Sequence, residues 1–150
     1  MIDNQQKNKL LRMARFIAAL YLVSTGVFAV IVFALPQRLD QPQLVEPSMV
    51  NTLILVFGLM AFAGIVMGFV LPDRILLRLG SETTLSQRSV ASTVLRCALF
   101  ETPAIYGVAL SFIGASMPVA LGFIIVSAGC MLITFPTEEK IVHFLNAISR

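Results

Sequence analysis

Apolar residues occur along this chain in long continuous blocks rather than at the spacing of an amphipathic helix or strand. Residues 16–35 form one uncharged run, and residues 49–71 form another. Each covers the roughly 20 residues that a helix needs to cross about 30 Å of hydrocarbon. A third block, residues 89–113, is long enough but contains two charged residues, and a fourth, residues 118–135, is short. Because backbone polar groups in lipid must be satisfied within the segment, each block is predicted to be an α-helix.

Composition supports a membrane protein. Of the 150 residues, 57% are hydrophobic and 13% are charged, whereas roughly a quarter of the residues in soluble domains are charged. Mean hydropathy is +0.88, and a soluble fold of this size still exposes about 30% of its unfolded surface to water. We therefore predict a single all-α integral membrane domain over residues 1–150. It is a four-helix transmembrane bundle of two hairpins, with spans at residues 14–35, 49–71, 89–113 and 118–135.

Prolines and one glycine mark the predicted boundaries. Pro72 is expected to end the second span, residues 114–118 to form a tight turn, and Pro136 to close the fourth span. After Pro136, Thr137 can cap a short helix with two glutamates in its first turn, which suits the positive end of the helix dipole. We predict a C-terminal interfacial helix over residues 137–149, with its apolar side in lipid.

The distribution of basic residues predicts the orientation. Nine Lys and Arg residues fall before the first span, between the second and third spans, or in the tail, against Arg38 alone in the other loops. Such an asymmetry places the basic side in the cytoplasm. Both termini and the middle loop are therefore predicted to be cytoplasmic, in a multi-pass protein of the inner (cytoplasmic) membrane. The net charge of +3 is a topology signal rather than a nucleic-acid footprint.

The sequence offers little for enzymatic or metal chemistry. Cys97 and Cys130 lie inside predicted spans, no CxxC pair is present, and His143 is the only histidine. Free cysteines of this kind behave as small buried hydrophobes, and no nucleophile–base pair or phosphate loop is recognisable. We expect no catalytic residue, no metal site, no cofactor and no nucleic-acid partner. The expected partners are the lipid bilayer and other membrane subunits or further copies of the chain.

Glu101 is the residue that requires an explanation. It lies about 12 residues into the third span, hence about 18 Å from the cytoplasmic end at about 1.5 Å per residue. An acidic residue at that depth costs about 2.5–3.5 kcal/mol on insertion scales. Arg96, five residues earlier, is about 140° round the helix and cannot pair well with it. Glu101 is thus left to be protonated, to bind a cation, or to pair with another helix or chain.

The surroundings of Glu101 fit an ion site. Pro103 cannot donate to the carbonyl of Leu99, which leaves a polar group one turn below and beside the carboxyl. Glu101, Leu99 and Pro103 are the predicted site for a proton or a monovalent cation. Small residues that allow close helix packing accompany it on the second and third spans. These are Gly58, Ala61, Gly64, Gly68, Gly107 and Ser111, with Gly64 and Gly68 forming a GxxxG pattern.

The hairpin over residues 50–113 resembles the proteolipid subunit c of rotary ATPases. The likeness is carried by Ala98-Leu99-Phe100-Glu101-Thr102-Pro103-Ala104-Ile105-Tyr106-Gly107. The family carries an ion-binding carboxylate in mid-helix followed by a proline or small residues, with a cytoplasmic loop between its helices. The resemblance implies an oligomer with Glu101 as the ion-binding carboxyl. The chain also looks like small four-span bacterial proteins with an Ala-Leu-Leu-Glu-x-Pro-Ala-like third helix, a group that implies no activity.

Three functional classes follow from these features. The first is a small membrane subunit in which Glu101 binds or passes a proton or cation, working in an oligomer or larger complex. The second is a structural accessory subunit, in which Glu101 meets a partner's Arg, Lys or hydroxyl. The third is a small drug or cation exporter, which usually carries its glutamate on the first span. The position of Glu101 on the third span therefore disfavours the exporter.

Overall fold

The computed structural model describes residues 4–34, 46–78 and 85–139, and all regular structure in those ranges is helical. This confirms the all-α fold class. The helices follow one another as α1 (Asn4–Ala34), α2 (Pro47–Arg78), α3 (Leu85–Ile113) and α4 (Met117–Ile133). The predicted interfacial helix over residues 137–149 falls outside the described residues except for its first three positions.

Three of the helices contain stretches long and apolar enough to cross a membrane. These stretches are Asn8–Ala34, Pro47–Pro72 and Val90–Ile113, and an 18-residue window within each has a mean hydropathy of 2.4, 2.6 and 1.2 respectively. Helix α4 is apolar but has 17 residues, which is the lower limit for spanning hydrocarbon at about 1.5 Å per residue. The fourth span and the insertion of the bundle stay predictions.

The helices extend beyond the predicted spans. Helix α1 begins at Asn4 rather than at residue 14. Pro72 ends the apolar stretch of the second span, as predicted, although the helix itself continues to Arg78 and contains that proline. Its side chain is fully buried. Packing against neighbouring helices lets a helix tolerate the loss of the backbone hydrogen bond that proline cannot donate.

A tight turn joins α3 to α4, as predicted. Gly114 has a φ of 99°, a backbone conformation that glycine adopts without a steric penalty. The amide of Ala115 donates to the Leu110 carbonyl at 2.9 Å, and that of Gly114 donates to Ser111 at 3.4 Å. This pair of bonds is the Schellman motif, which satisfies the last carbonyls of a helix. The turn therefore returns α4 antiparallel along α3.

Helix α3 is the centre of the bundle. It packs against α1, α2 and α4, and α1 also packs against α4, whereas α2 has an extensive contact with α3 alone among the described helices. The prediction of two hairpins is therefore right for α3 and α4 but wrong for α1 and α2. The hydroxyl groups Ser24 and Thr25 lie on the side of α1 that faces α3 and α4. This leaves α2 to pack on another side of α3.

One contact fixes which helix ends lie together. The Nε of Arg15 donates to the carbonyl oxygen of Pro136 at 3.3 Å, although the two residues are far apart in sequence. Arg15 lies in the amino-terminal part of α1, and Pro136 follows the carboxyl end of α4. Because α1 and α4 are antiparallel, the basic start of the chain and the end of α4 are at one end of the bundle, here called the basic end.

The small residues predicted for helix packing differ in how closely they are packed. A β-carbon on Gly107 would lie 2.6 Å from the Ala120 carbonyl oxygen, and one on Gly68 would lie 2.6 Å from the Phe100 ring. At Gly64 the nearest atom is the Leu99 carbonyl oxygen at 3.7 Å, an ordinary contact. Among the others, Ala61 is buried, Ser111 donates to the Val108 carbonyl of its own helix at 2.7 Å, and Gly58 faces open space.

We predict that Gly107→Ala destabilises the bundle by about 1–3 kcal/mol, since overpacking of a tight contact costs that much. The methyl group would meet backbone rather than a flexible side chain. Gly122→Ala is the matched control, because a β-carbon at that helical glycine meets nothing within 4 Å. Unfolding of both variants in detergent measures the difference. Equal stability of the two variants would contradict the observed contact between α3 and α4.

Candidate functional site

Glu101 lies at mid-depth in the bundle. It is 11 residues after Val90 and 12 before Ile113, the ends of the apolar stretch of α3, or about 16 and 18 Å at about 1.5 Å per residue. Its side chain is partly buried. The position agrees with the depth derived from the sequence, about halfway between the ends of the helix.

Ser24 of α1 is the hydrogen-bond partner of the carboxyl. Its Oγ donates to Oε1 of Glu101 at 2.5 Å. Ser24 lies nine residues beyond Arg15 and ten before Ala34, about 13 and 15 Å along the helix at about 1.5 Å per residue. The two helices therefore bring their polar groups together at the same depth.

Two further polar side chains lie on the helices that carry Ser24 and Glu101. They are Tyr21 of α1 and Cys97 of α3. Tyr21 precedes Ser24 by three residues, and Cys97 precedes Glu101 by four. Each is therefore about one turn from the carboxyl, and both are on its side toward the basic end.

The predicted grouping of Glu101 with the Leu99 carbonyl is not what the structure shows. The carboxyl is bonded to α1, whereas the Leu99 oxygen faces Gly64 of α2, and α1 and α2 have no extensive contact. Residues two apart on a helix are about 200° apart around its axis, which is why the two groups point to different neighbours. Pro103 is fully buried inside α3.

A second cross-helix hydrogen bond lies beside the proline. Ser127 of α4 donates its hydroxyl to the carbonyl oxygen of Phe100 at 2.6 Å, and its side chain is completely buried. A proline inside a helix distorts the hydrogen bonds of the preceding turn. Ser127 therefore supplies a donor to the distorted turn of α3 from another helix.

Thr25 completes the polar layer between α1 and α4. Its hydroxyl donates to the Tyr21 carbonyl at 2.9 Å and lies 3.6 Å from the sulfur of Met131. Such a backbone bond within one helix satisfies a hydroxyl in an apolar setting. Thr25 therefore has its partners on the side of the basic end and does not reach outward.

Neither Ser24 nor Ser127 was predicted as a site residue. A signal for Ser24 exists in the sequence, because Ser24 and Thr25 are the only serine or threonine in the apolar run of residues 16–35. That run aligns in depth with the third span, so a hydroxyl near its middle could have been matched with Glu101. Ser127 bonds to a backbone carbonyl, and the sequence carries no mark of which carbonyl that is.

The described side chains supply few ligands for a metal. No group of three or more His, Cys, Asp or Glu residues converges in the part of the chain that the structure describes; His143 lies outside that part. Hard cations are held by several oxygen ligands, whereas the carboxyl here has the Ser24 hydroxyl as its hydrogen-bond partner.

No family model matches the chain, and no curated protein or solved structure does so either. The likeness to subunit c therefore stays a prediction from residues 98–107.

We predict that Ser127→Ala lowers the stability of the bundle by about 0.6–1.7 kcal/mol, the range for interhelical hydrogen bonds in membranes. The matched control is Ser111→Ala, which removes a hydroxyl bonded within its own helix and should change stability by less than about 0.5 kcal/mol. Reversible unfolding in bicelles or detergent measures both. A loss for Ser111→Ala as large as that for Ser127→Ala would contradict the cross-helix role.

Proposed function

We propose that the chain is a multi-pass membrane subunit in which Glu101 binds and releases a proton at mid-depth of the bilayer. The observation that carries this proposal is the hydrogen bond from Ser24 to Glu101 between two different helices at that depth. Ionisable residues inside the membrane are costly and mark ion or proton sites. Hydrogen bonds from a hydroxyl to a carboxylate are short and strong, so Ser24 gives the carboxyl a partner within the bundle.

The surface of the bundle supports a membrane location. Large hydrophobic side chains are exposed along the outer sides of the helices, for example Phe62 at 67%, Phe16 at 66% and Leu59 at 63%. Exposed apolar surface of this extent is unfavourable in water and is the ordinary surface of a helix in lipid. The proposed topology has the basic end, with Arg15 beside Pro136, in the cytoplasm.

A proton is favoured over a metal cation because of the ligands present. The oxygens placed together by the structure are those of the Glu101 carboxyl and the Ser24 hydroxyl. The Leu99 carbonyl, which would have been a third source of oxygen, faces Gly64 on another side of α3. Hard divalent cations take several oxygen ligands, so these two groups alone would not hold one.

A second candidate is a structural accessory subunit, and the observation that favours it is the position of α2. Only 11% of the most apolar window of α2 is buried within the chain, and its extensive contact is with α3 alone. A helix attached on one side offers its remaining surface to lipid or to another membrane subunit. Under this alternative the bond of Glu101 to Ser24 serves stability, and the subunit assembles through α2.

We predict that Glu101→Gln abolishes proton transfer by the reconstituted protein, or by the complex that contains it, because the amide keeps the size of the side chain but cannot ionise. Dicyclohexylcarbodiimide, an apolar reagent that attacks protonated carboxyls, should label the wild-type protein at Glu101 and not the variant. Glu46→Gln is the matched control, since Glu46 is exposed and precedes the apolar stretch of α2. Proton flux into proteoliposomes and the mass of the labelled peptide are the measurements.

The alternative predicts a different outcome of the same experiment. Glu101→Gln would then leave proton transfer unchanged, and bulky substitutions on the exposed side of α2, such as Leu59→Trp, would lower co-purification of the partner. A variant with normal proton transfer and an unlabelled wild-type carboxyl would contradict the proposed proton site.

A further inference from the structure

The half of the bundle beyond Glu101, away from the basic end, is closed by apolar side chains. Val32, Ala104, Ala120 and Ile124 form a buried cluster of side chains that are at most 5% exposed. Partly buried residues packed against this outer cluster are Phe28, Ala29, Val108, Met117 and Leu121. Its members come from α1, α3 and α4, so it fills the space between all three helices that surround the carboxyl.

The outer cluster lies entirely on one side of the site. Phe28 and Val32 follow Ser24 by four and eight residues, about 6 and 12 Å further along α1 at about 1.5 Å per residue. Ala104 and Val108 likewise follow Glu101 along α3. Interiors of this kind are densely packed and contain few voids that could admit water. A proton leaving Glu101 in this direction would meet no polar side chain within the cluster.

The half toward the basic end contains polar side chains as well as buried apolar ones, of which Leu11, Ala14 and Ala18 are examples. Tyr21 and Cys97 lie about one turn from the carboxyl, Arg96 is one residue nearer the basic end than Cys97, and Ser92 is a buried polar residue about one further turn away. At the limit of this half, Arg15 bonds to the end of α4. These groups can donate or accept hydrogen bonds, whereas the side chains of the outer cluster cannot.

Thr25 and Tyr106 do not bridge the outer cluster. Thr25 bonds to the Tyr21 carbonyl, which is nearer the basic end than Thr25 itself. The ring of Tyr106 stacks on Phe57 of α2, with ring centroids 4.9 Å apart, on the side of α3 occupied by α2. These two polar side chains are therefore directed away from the outer cluster.

The titratable and charged groups around Glu101 are few. Helix α1 contributes Tyr21, α3 contributes Arg96, Cys97 and Tyr106, and α4 contributes Cys130. Helix α2 has no titratable side chain between Pro47 and Pro72. Apart from Tyr106, which is stacked on α2, the groups on α1 and α3 all precede Ser24 or Glu101, and Cys130 follows Ser127 on antiparallel α4. Their positions agree with access from the basic end.

We infer that Glu101 exchanges its proton with the aqueous phase at the basic end only, because the outer cluster seals the opposite side. This inference rests on the proposed function and adds the side from which the site is reached. In each exchange the carboxyl gives its proton to water on that side, leaving a carboxylate that keeps the Ser24 hydrogen bond and a hydronium ion that enters the aqueous phase. The reverse step restores the carboxylic acid. Passage of a proton across the membrane would then require the outer cluster to open.

The test uses the full-length wild-type protein reconstituted in vesicles, with its orientation determined by protease access to tagged termini. The pH is set independently on the two sides, and labelling of Glu101 by dicyclohexylcarbodiimide is followed by mass spectrometry. The reagent reaches the carboxyl through lipid, so its own access is the same from both sides. We expect the labelling rate to fall when the pH is raised at the basic end and to be unchanged when it is raised at the opposite side.

A pair of variants tests the seal directly. Ile124→Ser places a hydroxyl in the outer cluster, where Ile124 is 4% exposed, and Ile125→Ser places one on the neighbouring residue, which is 69% exposed. We expect labelling to become dependent on the pH of the opposite side in Ile124→Ser and not in Ile125→Ser. Monodisperse behaviour in detergent shows whether each variant is folded, and the wild-type measurement stands without them.

Two outcomes would overturn the inference. Labelling of the wild-type protein that follows the pH of the opposite side, or of both sides equally, would mean that the outer cluster does not seal the site, while the proton site itself would stand. Absence of labelling at every pH would remove the proposed function and this inference with it. The failures of the two proposals are therefore distinguishable.

Discussion

The hydrogen bond between Ser24 and Glu101 connects the chemistry of the bundle with its architecture. A carboxyl at mid-depth costs several kcal/mol in an apolar environment unless it is partnered. The chain provides that partner on α1, at a distance of 2.5 Å, so α1 and α3 must meet at matching depths. When α1 and α3 meet at matching depths, the basic residues at the start of α1 lie at the same end of the bundle as the carboxyl end of α4. Arg15 contacts Pro136 there.

The central position of α3 follows from the polar groups that it carries. Besides Glu101, its proline disturbs the backbone one turn earlier, and Ser127 of α4 donates to the carbonyl of Phe100 there. On a third side, the ring of Phe100 packs against Gly68 of α2, where no side chain would fit. Hydrogen bonds thus hold α1 and α4 against α3, whereas α2 is held by close packing. These differences explain why α2 contacts α3 extensively and the other helices little.

Much of the fold could be predicted from the sequence, because long apolar blocks and punctuating glycines act locally. The existence of the four helices and the turn at Gly114 follow from such signals. The continuation of α2 through Pro72 could not be predicted, since the buried contacts of that proline are tertiary. The separation of α1 from α2 could not be predicted either, because adjacency in sequence does not determine which faces carry complementary polar groups.

The candidate site was predicted in part, and its limits have a physical origin. Glu101 can be recognised from the sequence because it is an acidic residue in the middle of an apolar span, and this needs only its position along the chain. In the structure the carboxyl bonds to Ser24, and the Leu99 carbonyl oxygen lies near Gly64. A position along a helix does not say which neighbour each side of that helix will face. To predict Ser24 as the partner of Glu101, the relative register of α1 and α3 must be known. A sequence pattern can only suggest that register through the alignment of hydrophobic spans.

A double-mutant cycle between Ser24→Ala and Glu101→Leu tests most directly whether the bond between these two residues holds α1 against α3. Unfolding free energies of the wild type, the two single variants and the double variant in bicelles give the coupling between the side chains. The structure predicts a favourable coupling of about 0.6–1.7 kcal/mol. Additive effects, with a coupling below about 0.3 kcal/mol, would contradict the account and leave the carboxyl without its partner on α1.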